Sequence, residues 1–573
     1  MAESILSMLS AANDTFLTAE RPRVATILDR AGKLDRAATA LVGARAAGYH
    51  MESLASAYAL EKSRYFRSPE VAGELARCVR FIEMIQYDDG SFDAGNRKSP
   101  PDTAFILRSL SATLQLLLSA DAAELDGVRE SLRRVILKGA EILVTGGIHT
   151  PNHRWIVCDA LARANELAHD RRFVDRIGEW LSEGIDIDPD GQFSERSVGI
   201  YSAEVDKALI SIAVRIGRSE LLNHVRRNLE TTLCFVEPDG ELQTIGSRRQ
   251  DQSSPGSISR YYLPYRFMAA LDSSPLFESA AHQIEQLFGA KLRDELIYLL
   301  AGEYQPGTRE TATVDPRTNA PRFEAADFLR NFTSMGVVRI RKGRKSATIL
   351  GGTDWPLGSA SGLSSSPTFF TFRNGNAILD SVRLATDFFS MGYFRSERII
   401  EQAGRYLLAQ TIEVPYYQPL PPALRRTDGL YELSSADGRF SSRMSFPSRE
   451  PSNIQTLTIN VEIQPADHGG YTLAFRIVGC DNVPVAIEFA LRSGGSLSGV
   501  TGPLGQENIF ALESGFARYE RAGYTIQFGP GAVDFLWGDD LLPHLPGFLA
   551  PQPDAVTVYI TGHTPFRREI EVN

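Results

Sequence analysis

The sequence is short of several things, and each shortage narrows the field. Only four cysteines occur in 573 residues: Cys78, Cys158, Cys234 and Cys480. They are isolated, and three lie in apolar helical runs. Buried thiols are therefore expected rather than a disulfide framework or a metal site. No window approaches the roughly 18 apolar residues that a membrane span requires, so no membrane partner is expected. Basic clusters are missing and the formal net charge is −10, which argues against a nucleic-acid partner. The start, MAESILSMLSAANDTF, has no basic region and no long apolar core. It reads as a cytoplasmic protein, and a chain already relieved of a secretory leader would read the same. Histidine is scarce, and none occurs between His282 and His468.

What is present is ordinary globular chemistry, 43% hydrophobic and 23% charged. An acidic surface does not exclude an acidic substrate, because a pocket can be basic inside it. The length is too great for one core, so two or three domains are expected. Residues 20–302 carry apolar side chains at intervals of three and four, as in Leu161, Ala164, Leu167 and Ala168. From about residue 337 the pattern alternates, as in "TLTINVEIQ", "YTLAFRIVG" and "VTVYITGHTPF". Helices first and strands later predict separate domains rather than an alternating α/β sheet. The expected division is a helical domain over 1–302, a polar linker over 303–333 and an antiparallel β-domain over 334–573.

The helical half holds a weak repeat. "YDDGSF", "VTGGIH", "DPDGQF" and "EPDGEL" each end a helical run, with Gly90, Gly147, Gly191 and Gly240 at intervals of 57, 44 and 49 residues. Such a period suits one helical hairpin per repeat, and glycine ends a helix by taking positive φ cheaply. A polar loop follows each turn: "DAGNRKSPPDT", "TPNHR", "SERSVGIYS" and "QTIGSRRQDQSSPGS". In a ring of hairpins these loops would fall on one rim and meet at one cleft. Asn152, His153 and Arg154 open the helix in "TPNHRWIVCDALARANEL", whose remainder reads as core packing. A helix start of this kind presents partial positive charge and open N–H groups, which suit an anion.

The rim residues suggest a chemistry. Asn152, His153, Tyr201, Arg154, Arg196, Arg248 and Arg249 supply an amide, an imidazole, a phenol and guanidinium groups. Carboxylates are present in Asp102, Glu195 and Asp251, but none forms an obvious pair, and hydrolysing a glycoside normally needs two. Elimination across a uronic acid needs a donor for the sugar carboxylate, a base for the C5 proton and an acid for the leaving oxygen. Asn and Arg can serve as the donor, His or Tyr as the base, and Tyr as the acid.

The loop Asn152-His153 before a helix, followed by "DGQFSERSVGIYS" with Tyr201 48 residues after His153, resembles the heparinase II/III-type and alginate-lyase-type polysaccharide lyases. Asp190-Gly191, Glu195, Ser197 and Tyr201 match that family's "DG…E-x-S…Y" segment. "PDGELQTIGSRRQD" at 238–251 is similar to its next rim loop. The resemblance implies an N-terminal (α/α) toroid, an incomplete barrel of helical hairpins, followed by an antiparallel β-sandwich. It implies Asn152, His153 and Tyr201 as catalytic residues; Arg154, Glu195, Arg248 and Arg249 on the rim are candidate substrate contacts. Tyr261 in "SRYYLPYRF", together with Tyr262 and Tyr265, is a candidate for stacking on sugar rings, although an aromatic run also suits a core. Tyr393 and Arg395 in "FFSMGYFRSE" are candidates to reach the cleft from the β-domain. The chain departs from the family where a histidine-bearing "GHGHAD"-like stretch is usual. Residues 358–384 contain no histidine, so neither a metal nor a cofactor is expected.

The expected function is β-elimination on a uronate-containing oligosaccharide or polysaccharide. Two other readings stay open. One is an (α/α)-barrel glycoside hydrolase acting on uronides through Asp89, Asp102 or Glu195. The other is a carbohydrate-binding protein without catalysis.

Overall fold

The computed structural model describes residues 2–30, 36–304, 323, 327–354, 362–389, 391–436, 440–504, 507–535 and 555–573. Most of the segment read as a linker, 305–322 and 324–326, lies outside these. The chain divides into two compact units, one of residues 1–242 and 256–323, the other of residues 243–255 and 324–573.

The first unit is built from helices. They are α1 (Ala2–Arg30), α2 (Arg36–Ala59), α3 (Pro69–Ile85), α4 (Pro100–Leu118), α5 (Asp126–Thr145) and α6 (Asn152–Ala168). There follow α7 (Arg171–Ser182), α8 (Tyr201–Ile216), α9 (Leu222–Thr232), α10 (Tyr262–Asp272), α11 (Pro275–Phe288) and the short α12 (Leu296–Leu300). Helices α2, α4, α6, α8 and α10 pack in succession, while α3, α5 and α7 flank them. This is the helical-hairpin toroid. The flanking helices are strongly amphipathic; on α7 only Phe173 and Ile177 are buried.

The glycine turns repeat in atomic detail. Gly90 N donates to Tyr87 O, Gly191 N to Asp188 O, and Gly240 N to Glu237 O. Each turn is closed by a second bond of matching register: Tyr87 to Ser91, Asp188 to Gln192, and Glu237 to Glu241. The φ angles are +90°, +87° and +82°. A Cβ would strike the next flanking helix, at Lys138 O on α5, Arg227 O on α9 or the Phe288 ring on α11. These positions require glycine both for conformation and for space. Gly147 is the exception. It has no positive φ, and α5 ends at Gly146 in extended conformation. That turn is instead fastened by Arg176 of α7, which donates to Gly146 O at 3.0 Å.

The interior of α6 is not plain core packing. Asp159 and Arg163 are buried on it and bonded to each other at 2.8 Å. Arg163 also makes two 2.7 Å bonds to Glu303, beyond α12. Arg108 of α4 reaches Glu204 of α8 at 2.7 Å, and Lys207 of α8 reaches Glu295 at 2.7 Å. Buried charges persist only when paired in this way. These pairs join successive inner helices to the unit's last turns.

The second unit is a β-sandwich. One eight-stranded sheet runs in the order 399–402, 405–417, 451–465, 471–479, 566–572, 524–529, 517–521, 496–498. The other runs 509–511, 556–563, 484–491, 377–386, 370–374, 345–350, 337–342, 328–332. Neighbouring strands are antiparallel, except that 509–511 pairs parallel with 556–563. Val338, Leu384 and Phe489 of one sheet share a core with Leu408, Ile459 and Phe475 of the other. The first strand, Phe328–Phe332, begins inside the segment read as linker. The excursion 243–255 joins this unit because its side chains bond there. Gln243 donates to Thr371 at 3.1 Å, and Gln252 accepts from the Ser365 N–H at 3.1 Å.

All four cysteines are free thiols. Among the described residues no helix is long and apolar enough to cross a membrane.

Candidate active site

Pro151 precedes Asn152, the first residue of α6, and Ile200 precedes Tyr201, the first residue of α8. The two helices are packed neighbours. Asn152 is buried. Its amide nitrogen donates to both oxygens of Glu195, at 3.0 and 2.8 Å, and to Thr150 Oγ1 at 3.2 Å. Two residues beyond Glu195, Ser197 Oγ accepts the Tyr201 N–H at 3.1 Å. The segment 195–201 therefore ties the start of α6 to the start of α8. Arg196 in this segment has φ +51°, a costly conformation for an arginine.

The amide donors of Asn152 are thus committed inside the protein. The remaining polar atom, Oδ1, is buried and without a hydrogen-bond partner. Asn152 was expected to donate to a substrate carboxylate; in this structure its amide hydrogens go to Glu195 and Thr150.

His153 is nearly buried. Its ring meets His149 edge-on at 4.6 Å and Phe105 of α4 at 6.3 Å. His149 lies outside the helix and carries no motif, so nothing in the sequence singled it out. Phe105 in turn lies under Arg45 of α2, whose guanidinium sits 4.7 Å from the ring centre and bonds to Asp102. Glu204 stands one turn after Tyr201 on α8. Burial pushes its carboxyl up, but Arg108, Lys207 and Arg260 outweigh this and hold its pKa at about 2. A fixed negative charge therefore accompanies Tyr201 at every working pH.

The other residues expected to contact substrate have partners of their own. Arg154 is paired with Glu183 at 3.1 Å and Asp186 at 2.9 Å, and it stacks on Trp155. Its charge is spent on the fold. Arg248 and Arg249 lie in the excursion that belongs to the β-unit, where Arg248 makes a two-pronged bond to Asp354 at 2.7 and 2.8 Å. Tyr261 is a core residue, fully buried, with its hydroxyl on Val198 O at 2.7 Å. Tyr262 and Tyr265 are equally buried. No face of these rings is open to a sugar. Tyr393 is likewise interior, its hydroxyl 3.3 Å from Glu488 in the β-unit. Arg395 is buried beside it and donates to the carbonyls of Ser365 and Tyr393. Burial lowers its pKa to about 10.

The carboxylates of the hydrolase reading are each engaged locally. Asp89 accepts from Ser91 and faces Lys98, Asp102 accepts from Arg45 and Asn96, and Glu195 accepts from Asn152. Among the described residues no group of three or more His, Cys, Asp or Glu side chains could hold a metal ion.

A toroid of helical hairpins with a β-sandwich in one chain is the fold of known polysaccharide lyases. Heparinase III superposes with a TM-score of 0.55 at 11% identity, over 92% of this chain and 76% of its own. Chondroitin AC lyase of Streptomyces coelicolor A3, solved in complex with chondroitin sulphate, gives 0.54 at 12%, over 99% and 79%. Xanthan lyase of Paenibacillus gives 0.54 at 10%, over 100% and 58%. In sequence, no family profile and no curated protein matches the chain.

Proposed function

We propose that the protein is a polysaccharide lyase that cleaves uronate-containing glycans by β-elimination. The observation that carries this reading is the junction of Asn152, His153 and Tyr201 at the starts of two adjacent inner helices, held by the Asn152–Glu195 bonds. The likeness of fold to heparinase III, chondroitin AC lyase and xanthan lyase supports it.

In this reading the uronic acid carboxyl lies against Asn152. Oδ1 accepts a hydrogen bond from the acid's own proton, and the neutral acid lets charge spread from C5. His153 removes the C5 proton and Tyr201 protonates the glycosidic oxygen. The C5–H and C4–O bonds break, a C4–C5 double bond forms, and no water is consumed. Glu195 positions Asn152 and does not touch the reacting atoms. The hydrolase reading is the weaker one, because Asp89, Asp102 and Glu195 are each bound to a different local partner.

The experiment is a panel of chondroitin sulphate, xanthan, heparan sulphate and plain polyuronates, followed by ultraviolet absorbance of the unsaturated product. Absorbance growth on at least one member supports the reading. Cleavage to saturated reducing ends without absorbance refutes it.

A further inference from the structure

On α2, Arg45, Tyr49 and Glu52 follow at steps of four and three, so they share one face. That face runs along α4, where Arg45 bonds to Asp102 and Glu52 accepts from Ser109. Tyr49 lies between these two anchor points, level with Phe105 and Arg108. Phe105 touches His153, and Arg108 reaches Glu204, one turn from Tyr201. The stripe on α2 therefore reaches His153 through Phe105, and the start of α8 through Arg108 and Glu204.

Tyr49 is 55% exposed, yet burial raises the pKa of its hydroxyl, and the charges of Glu204, Arg45, Glu52 and Arg108 all act on it. Arg45 has 39% of its side chain open to solvent and lies over the Phe105 ring, so its unused N–H groups are held in place rather than swinging freely. An open aromatic face beside a braced guanidinium is an arrangement that binds a pyranose ring. The ring's C–H face lies on the tyrosine and its oxygens accept from the arginine.

We propose that Tyr49 and Arg45 form a second sugar subsite, which holds the pyranose attached to the uronic acid on the side away from the cleaved bond. This rests on the lyase reading for the identity of the reacting sugar, but not for the presence of the subsite.

The test compares a uronate disaccharide with a tetrasaccharide of the same repeat, using wild type, Tyr49→Ala, Tyr49→Phe and Arg45→Met. Kinetics are paired with calorimetric binding of the tetrasaccharide, and folding is checked by melting. Tyr49→Ala should raise KM for the tetrasaccharide about three- to tenfold, the range of one lost aromatic contact, with the effect on KM rather than kcat. Tyr49→Phe should lose less, because the ring face stays. The disaccharide should be far less sensitive. Cleavage by wild type with an unchanged KM in Tyr49→Ala overturns the subsite and leaves the lyase standing. No cleavage, but binding that weakens in Tyr49→Ala, overturns the lyase reading and leaves the subsite standing. Neither cleavage nor binding overturns both.

Discussion

Asn152 gives its amide hydrogens to Glu195 and Thr150, with the two Glu195 oxygens at 3.0 and 2.8 Å, and keeps an unpartnered Oδ1. An asparagine so held cannot rotate without turning its oxygen on a carboxylate. Glu195 thus decides which end of the amide a ligand meets.

Replacing Glu195 separates the two enzyme readings. Glu195→Ala leaves buried amide donors unsatisfied and lets Asn152 turn. Turnover should fall by about ten- to a hundredfold, the worth of a hydrogen bond to a charged group. Glu195→Gln still offers Asn152 a carbonyl acceptor and should retain more activity than the alanine variant. Were Glu195 an acid or base of a hydrolase, the glutamine variant would be as inactive as the alanine one. Steady-state rates of both variants make the comparison.

Tyr201→Phe keeps the ring at the start of α8 and removes the hydroxyl. Turnover should drop by roughly two to four powers of ten, with little change in binding. His153→Ala should cost a similar factor if the imidazole takes the C5 proton, and less if Tyr201 serves as both base and acid. Single-turnover kinetics on melting-checked proteins distinguish these outcomes.

Glu52 couples the fold to pH. Burial raises its pKa from 4.5 to about 7, against the opposing pull of Ser109 and Arg108. Between those values the unfolded chain has released a proton that the folded protein still holds, so stability falls as pH rises through this window. The loss levels off above about pH 7, at roughly 3 kcal/mol. Glu52→Gln keeps acceptors for Ser109 and Tyr298 and removes the ionisation. Its melting temperature should match wild type near pH 4.5 and exceed it by a margin that grows to about pH 7 and then levels off.

Arg163 should be the most sensitive of the buried charges. Arg163→Ala leaves Asp159 to Ser211 and Arg108, and Glu303 to Arg215 at 3.4 Å, and should cost about 3 kcal/mol, the lower end for one half of a buried ion pair. Arg163→Met combined with Glu303→Leu should recover much of that loss. Denaturant melts of the single and double variants measure it.

The sequence made legible what rests on local rules. Alternation marked the strands, three-four spacing marked the helices, and glycine marked three turns whose positive φ and lack of space admit little else. Asn152 was read as a helix opening and is the first residue of α6. What stayed illegible depends on partners far along the chain. Asp159 and Arg163 look like solvent residues until Glu303, 140 positions away, closes on them. The excursion 243–255 resembles a helical rim loop, yet Gln243, Arg248 and Gln252 find their partners in the β-unit. Tyr261 suggested a sugar platform by its type and Tyr393 a reach from the β-domain to the cleft, and both rings are buried. Tyr49 belongs to no motif, and only the pairing of α2 with α4 sets it level with Phe105.

The most direct test of the central claim follows the fate of water at the cleaved bond. The glycan that gives the fastest reaction is digested in oxygen-18 water, and the products are read by mass and ultraviolet absorbance. The lyase account predicts a product with a C4–C5 double bond and no heavy oxygen introduced by the cleavage itself, scored before anomeric exchange. One heavy oxygen at each new reducing end, with no absorbing product, would contradict it.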